Sequence, residues 1–353
     1  MVKLQSLYRA EVDSGGRENM KTFRGHRRIK EGFCIASVLL MVSLSLTEAR
    51  AEFPDRPITM YISMAPGGSV DMCSRSISAA AEKILGKPII IENRAGGGGT
   101  VAYALVANAK PDGYTLCGGV SGGIVWTPQM QKVTYKPLKS FTPLIAYAQS
   151  RNGIVVKSDA PWKTFQELVE YAKKNPNKIK YGSGGIGTAM HQAMAFVEHQ
   201  DGIKWIHVPY KGNADALTAL LGGHVDVASV GPEWVPFVKS GTMRILALTE
   251  EKRNPNYADV PTLKNLGYDF ANETVFCIVG PAGLPADITK KLEAAFAKAA
   301  ESKEVKAAVE KLDLAPILIV GKDYDEYLKR VWLRLEKNLK ETGLAKESAT
   351  SPY

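Results

Sequence analysis

Three stretches of this chain carry residue types at spacings that could do chemistry. Gly119-Val120-Ser121-Gly122-Gly123 fits G-x-S-x-G, in which a sharp strand-to-helix turn presents a serine for nucleophilic attack, and Asp201 and His207 follow in hydrolase order. That turn needs a helix directly after the serine, and Ile124-Val125-Trp126-Thr127-Pro128 is a poor helix start. Gly182, Gly184 and Gly187 fit G-x-G-x-x-G, but a dinucleotide fold also needs a carboxylate on the next strand to take the ribose hydroxyls. The next strand ends His207-Val208-Pro209-Tyr210-Lys211, with no carboxylate. Ala95-Gly96-Gly97-Gly98-Gly99-Thr100 lacks the P-loop lysine and reads as a flexible turn that lets helix and strand pack closely. His191, His199, His207 and His224 show no metal-ligand spacing, and His224 reads as a turn residue. No catalytic residue, metal or cofactor is expected.

What remains is anion binding. Ala65-Pro66-Gly67-Gly68-Ser69-Val70-Asp71 and Gly182-Ser183-Gly184-Gly185-Ile186-Gly187-Thr188 each stand between an apolar strand and a helix. A helix start offers unpaired N–H groups and the positive end of a dipole, and glycine lets an anion approach that backbone. Asp71 also suits its first helical turn with no ligand involved. His191, one turn into the second helix, serves equally as a ligand contact or a structural hydrogen-bonding group.

The surrounding pattern must position these turns. Strands at 58–64, 88–92 and 114–118 alternate with helices at 70–85 and 99–109, then a looser stretch holds Pro128, Pro137 and Pro143 before a strand at 153–156. A second series has helices at 164–174, 188–200 and 213–221 and strands at 178–182, 204–208, 225–229 and 243–248. Val275 to Val279 reads as a return strand, followed by helices at 286–301, 303–311 and 323–342 around a short strand at 316–320. The expectation is an α/β chain of two lobes, each a mainly parallel sheet flanked by helices, with two hinge crossings. The divisions are 1–51, 52–150, 151–277 and 278–353.

Residues 27–51 have the zones of a secretory signal: Arg27-Arg28-Ile29-Lys30, apolar Phe33 to Leu46, then Ala49-Arg50-Ala51. A cut after Ala51 would leave 302 of 353 residues, exported and without a membrane anchor; Met20 is an alternative start to Met1. Nine basic and five acidic residues lie before the cut and account for +4 of the net +9, leaving +5. That is too mild to argue for nucleic acid, and no arginine-rich run supports it. Cys73, Cys117 and Cys277 then remain, an odd and widely spaced set read as small buried residues, with a bridge between two of them still open.

Phe53-Pro54-Asp55-Arg56-Pro57, the first glycine turn, Glu92-Asn93-Arg94-Ala95-Gly96-Gly97-Gly98, Pro111-Asp112-Gly113-Tyr114-Thr115-Leu116, His207-Val208-Pro209-Tyr210-Lys211-Gly212, Asp259-Val260-Pro261-Thr262 and Pro281-Ala282-Gly283 resemble the tripartite tricarboxylate transporter substrate-binding proteins, or Bug receptors. The resemblance implies a periplasmic-binding-protein (Venus flytrap) fold without enzymatic activity. It implies a receptor that holds a small organic carboxylate between its lobes for a membrane permease; a monomer is expected. A signalling partner is the alternative output, and the Ser121 hydrolase the alternative class. Carried over, the contacts are Ala65, Gly67, Gly68, Ser69 and Asp71 in one lobe and Ser183, Gly184, Gly187, Thr188 and His191 in the other, with Ser121 and Tyr210 at the rim or distal end. Met64 stands where the family usually has an aromatic wall residue, and Ala228-Ser229-Val230-Gly231-Pro232 followed by Trp234 departs from the usual run, so the distal pocket differs.

Overall fold

Alternation of apolar residues through Ile58-Thr59-Met60-Tyr61-Ile62 buries Ile58, Met60 and Ile62 completely and forms strand β1 (Ile58–Ile62). The computed structural model describes residues 52–272, 274–341 and 350–353, so the expected signal segment and the cut after Ala51 lie outside the described residues. After the first glycine turn comes α1 (Ser69–Leu85), whose Val70, Cys73, Ile77, Ala81 and Leu85 recur at three- and four-residue steps and face inward. Asp71 in its first turn and Lys83 in its last complement the helix dipole. Then follow β2 (Ile89–Asn93), α2 (Thr100–Ala107), β3 (Thr115–Val120), α3 (Gly122–Val125) and β4 (Phe141–Gln149).

The second series runs β5 (Gly153–Lys157), α4 (Phe165–Lys174), β6 (Lys180–Ser183), α5 (Ala189–Asp201), β7 (Ile206–Pro209), α6 (Asn213–Leu221), β8 (Val227–Val230), α7 (Val235–Lys239) and β9 (Met243–Leu248). The chain returns through β10 (Val275–Pro281), α8 (Ala286–Ala300), α9 (Lys303–Lys311), β11 (Ala315–Val320) and α10 (Gly321–Glu341). No described helix is long and apolar enough to cross a membrane.

Two sheets result, one in the order β2-β1-β3-β10-β4-β11 and one in the order β7-β6-β8-β5-β9. The α/β class with helix-flanked sheets is as expected, but the sheets are mixed instead of mainly parallel. β1 is parallel to β2 and β3, and β6 to β7 and β8; β10, β11 and β5 run antiparallel to their neighbours. For β10 and β5 the reason lies in the crossings. A chain arriving from the other sheet enters where its new neighbour ends, Phe276 beside Val120 and Gly153 beside Val230, and so must run away from that end.

Three elements were not expected, the short helix α7 (Val235–Lys239) among them. The stretch read as loose contains β4, whose Leu144 to Ala148 are buried in the sheet. Pro143 disguises it, and the strand accepts that proline where its register against β10 shifts between Ile278 and Val279. A short helix, α3, does follow Ser121, where Gly123 packs so tightly under Tyr103 that an added Cβ would lie 2.4 Å from the ring.

The crossings between the sheets are joined to one another. The Ser150 N–H donates to the Thr274 carbonyl at 2.8 Å, Thr249 N–H to the Asn152 carbonyl at 3.0 Å and Asn272 N–H to the Thr249 carbonyl at 2.7 Å. Asn272 Oδ1 accepts both the N–H and the hydroxyl of Thr274, at 2.9 and 2.6 Å. All five residues are buried, and paired polar groups in such surroundings fix one arrangement. Cys73, Cys117 and Cys277 are free and buried; burial pushes the Cys73 thiol up to about 12 and that of Cys277 to about 11.

Candidate functional site

In the first turn Gly67 adopts φ +79, a conformation that favours glycine, and its N–H donates to Asp71 Oδ2 at 3.0 Å. Asp71 Oδ1 accepts Arg75 Nε and Asn93 Nδ2, both at 2.9 Å, and Asn93 also reaches the Met64 carbonyl at 3.1 Å. Burial opposes ionisation of Asp71, yet Arg75, Gly67 and Asn93 together hold its carboxyl below the usual range. Asp71 thus braces the loop. The turn's donors point elsewhere: the Ser69 N–H and hydroxyl both donate to Glu233 Oε1, at 2.8 and 2.5 Å.

The second turn is tied mostly to itself. Thr188 caps α5 by accepting the His191 N–H at 3.3 Å while its hydroxyl donates to the Gly185 carbonyl at 2.8 Å. The Gly187 N–H donates to His191 Nδ1 at 3.0 Å, which identifies Nδ1 as the unprotonated ring nitrogen. Ser183 Oγ lies 2.7 Å from His207 Nε2, and the rings of His191, His207 and Tyr181 stack with centroids 4.2 and 4.7 Å apart.

Burial, reinforced by the neighbouring His191, lowers the His207 pKa from 6.5 to about 3. The unfolded chain then takes up a proton below pH 6.5 that the folded chain refuses until about pH 3, so this group's stabilisation is complete above 6.5 and declines as pH falls. A His207→Gln variant should therefore lose less melting temperature than the parent between pH 6.5 and 4. Parallel declines in the two proteins would refute this.

The two lobes touch through backbone. Gly98, at φ +67, is so close to the second turn that an added Cβ would stand 2.7 Å from the Ile186 carbonyl oxygen. A Cβ on Gly187 would lie 3.1 Å from Thr127, and one on Gly212 3.3 Å from Ala65. Gln192 Nε2 bridges the Gly187 and Trp126 carbonyls, at 3.1 Å each. The glycine run at 96–99 therefore meets the other lobe as well as packing its own helix. Beside these contacts Tyr210 lines a cavity of about 440 Å³ with Gly96 to Gly98, Gln131, Gly185 and Lys211.

Ser121 is not at a rim. It is fully buried, and its hydroxyl accepts the Val275 N–H at 3.1 Å, holding β3 to β10. His207 bonds to Ser183, and Asp201 to Tyr268 and Lys173, so the serine, histidine and aspartate of the hydrolase pattern make no shared network.

Sequence reasoning missed the residues that connect the turns. Asn213 Nδ2 donates to Glu233 Oε2 at 3.1 Å, and Asn213 lies against Gly184, whose added Cβ would be 2.6 Å from Asn213 Oδ1. Ser69, Glu233, Asn213 and Gly184 thus form a continuous line from one glycine turn to the other. A third glycine before a helix, Gly212-Asn213, was the available signal for Asn213.

With this geometry stands a sequence match: the pattern of the tripartite tricarboxylate transporter family receptor fits residues 73–344. The chain belongs to that family. A Cupriavidus necator relative, the UPF0065 protein in the gbd 5′ region, is 36% identical over 324 residues, covering 92% of this chain and 99% of its own. The periplasmic binding protein BugD superposes with a TM-score of 0.78 at 28% identity, covering 84% of this chain and all of BugD. An R. palustris protein solved with adipate gives 0.77 at 28% identity, covering 83% and 99%. The tripartite tricarboxylate transporter receptors are binding proteins, so this chain has a solute-binding fold and not that of an enzyme.

Proposed function

We propose that this receptor captures a small organic carboxylate between its lobes in the periplasm and delivers it, as a monomer, to the permease of a tripartite tricarboxylate transporter. The observation that carries this reading is the line from Ser69 through Glu233 and Asn213 to Gly184, which joins two helix-starting turns across the lobes. Backbone N–H groups at such helix starts suit an anion, and the adipate found with the R. palustris relative is one. Ser183, Gly184, Gly187, Thr188 and His191 are the proposed contacts of the ligand's carboxylate, with Ala65, Gly67, Gly68 and Ser69 of the first turn, whose Ser69 donors already serve Glu233, facing the rest of the ligand and Tyr210 standing at the mouth.

The return to the first sheet begins at Val275, so the lobes are taken as 52–150 with 275–353, and 151–274. A ligand that bridges them shifts the lobes toward closure. A member of a mono- and dicarboxylate panel, at a concentration of about 100 times its Kd, should stabilise the mature protein by about 2.7 kcal/mol and raise its melting temperature by roughly 5–10 °C. A panel that leaves the melting temperature unmoved would sink the reading.

A further inference from the structure

We propose that Glu233 and Asn213 set the ligand class of this receptor: they select a carboxylate whose far end donates hydrogen bonds, as an ammonium or a primary amide, and reject dicarboxylates. The inference rests on the carboxylate-receptor reading above. The start of α1, where a ligand carboxylate would be expected, already receives a carboxylate from the protein itself. Glu233 is only 9% exposed, and its Oε1 takes both donors of Ser69. A second carboxylate brought to the same helix start would compete for those donors and meet like charge at close range in partly buried surroundings.

Asn213 sharpens the choice. A carboxylate oxygen only accepts hydrogen bonds, so the Asn213 amide must turn its NH₂ to Glu233 Oε2, which leaves Oδ1 as its other face. That oxygen is buried and has no hydrogen-bond partner among the described residues. Such an acceptor is costly unless a donor arrives. Gly184 and Gly231 keep the pair's space open: a Cβ on Gly184 would lie 2.6 Å from Asn213 Oδ1, and one on Gly231 would lie 2.6 Å from Asn213 Nδ2 and 2.8 Å from Glu233 Oε2. The lobe junction thus carries two sets of acceptors, the Glu233 carboxylate and, on the opposite face of the Asn213 amide, Oδ1 against Gly184. The ligand's own carboxylate is left to the second turn, ahead of α5.

Calorimetric titration of the mature protein with six-carbon probes of matched length tests this: adipate, 6-aminohexanoate and 6-amino-6-oxohexanoate, with succinate and 4-aminobutyrate as a shorter pair. The amino- or amide-ended probes should bind at least tenfold more tightly than the dicarboxylate of the same length. In Glu233→Gln that ratio should shrink tenfold or more as the dicarboxylates gain. Equal binding of dicarboxylates and donor-ended probes by the parent protein overturns the inference without any variant, as does an unchanged ratio in Glu233→Gln. In both cases the carboxylate-receptor reading survives. Failure of every probe to bind the parent overturns that reading, and this inference with it.

Discussion

Replacing Gly98 by alanine leaves the protein folded but lowers its affinity for a cleft ligand by about 100-fold. Two costs arise, and only one depends on the lobes meeting. The left-handed φ of +67 disfavours any side chain in every state of the molecule, at about 1–2 kcal/mol. The new Cβ, however, would stand 2.7 Å from the Ile186 carbonyl oxygen only when the lobes are together, whereas its approach of 3.0 Å to Thr127 Oγ1 lies within its own lobe and adds to the local cost. Ile186 belongs to a turn fixed by the Thr188 cap and the Gly187 to His191 bond, so its backbone has little room to give. Calorimetry with the best ligand of the panel measures the effect, and thermal unfolding reports the small local cost separately. Affinity within threefold of the parent would show that the contact does not govern closure.

The largest effect on stability is expected from Trp126→Ala. Trp126 is completely buried, its ring centroid lies 5.6 Å from that of Phe270, and it belongs to the core cluster that includes Tyr103 and Phe196. Removing so large a buried ring costs about 3–5 kcal/mol, because the lost apolar contacts add to the cavity left behind. For a protein of this size that is a fall of roughly 10 °C in melting temperature. Trp126→Phe should recover most of it, since the indole N–H has no hydrogen-bond partner among the described residues to lose. A fall below about 2 °C in the alanine variant would mean that the surrounding core closes over the gap.

How much of this could be read beforehand depends on the range of each signal. Helices α1 and α5 were legible because glycine before a helix and apolar residues at helical steps are local marks, and Thr188 caps within three residues of itself. β4 was not, because Pro143 looks like a breaker until the register shift opposite Val279 shows how a sheet absorbs it. α3 was missed because Ile124 and Val125 are weak helix formers; its conformation is set by Tyr103, about twenty residues away in the chain. Ser69 and Glu233 are 164 residues apart, and nothing local in Pro232-Glu233-Trp234 announces a partner in the other lobe. Asp71 shows the reverse case. The turn does stand between a strand and a helix as expected, but its carboxylate is engaged by Arg75, Gly67 and Asn93 within its own lobe.

Ser150, Asn152, Thr249, Asn272 and Thr274 stitch the two crossings into one ladder, and that has an evolutionary consequence. Two strands bonded to each other turn as a single axle, so the path along which the lobes swing is set by backbone bonds that no cleft residue contributes. With Glu233 and Asn213 selecting the ligand as proposed, mutations there would retune what is captured while the moving parts are inherited unchanged. A lineage with this division can diversify its diet quickly, because each new pocket is tried on machinery that already works.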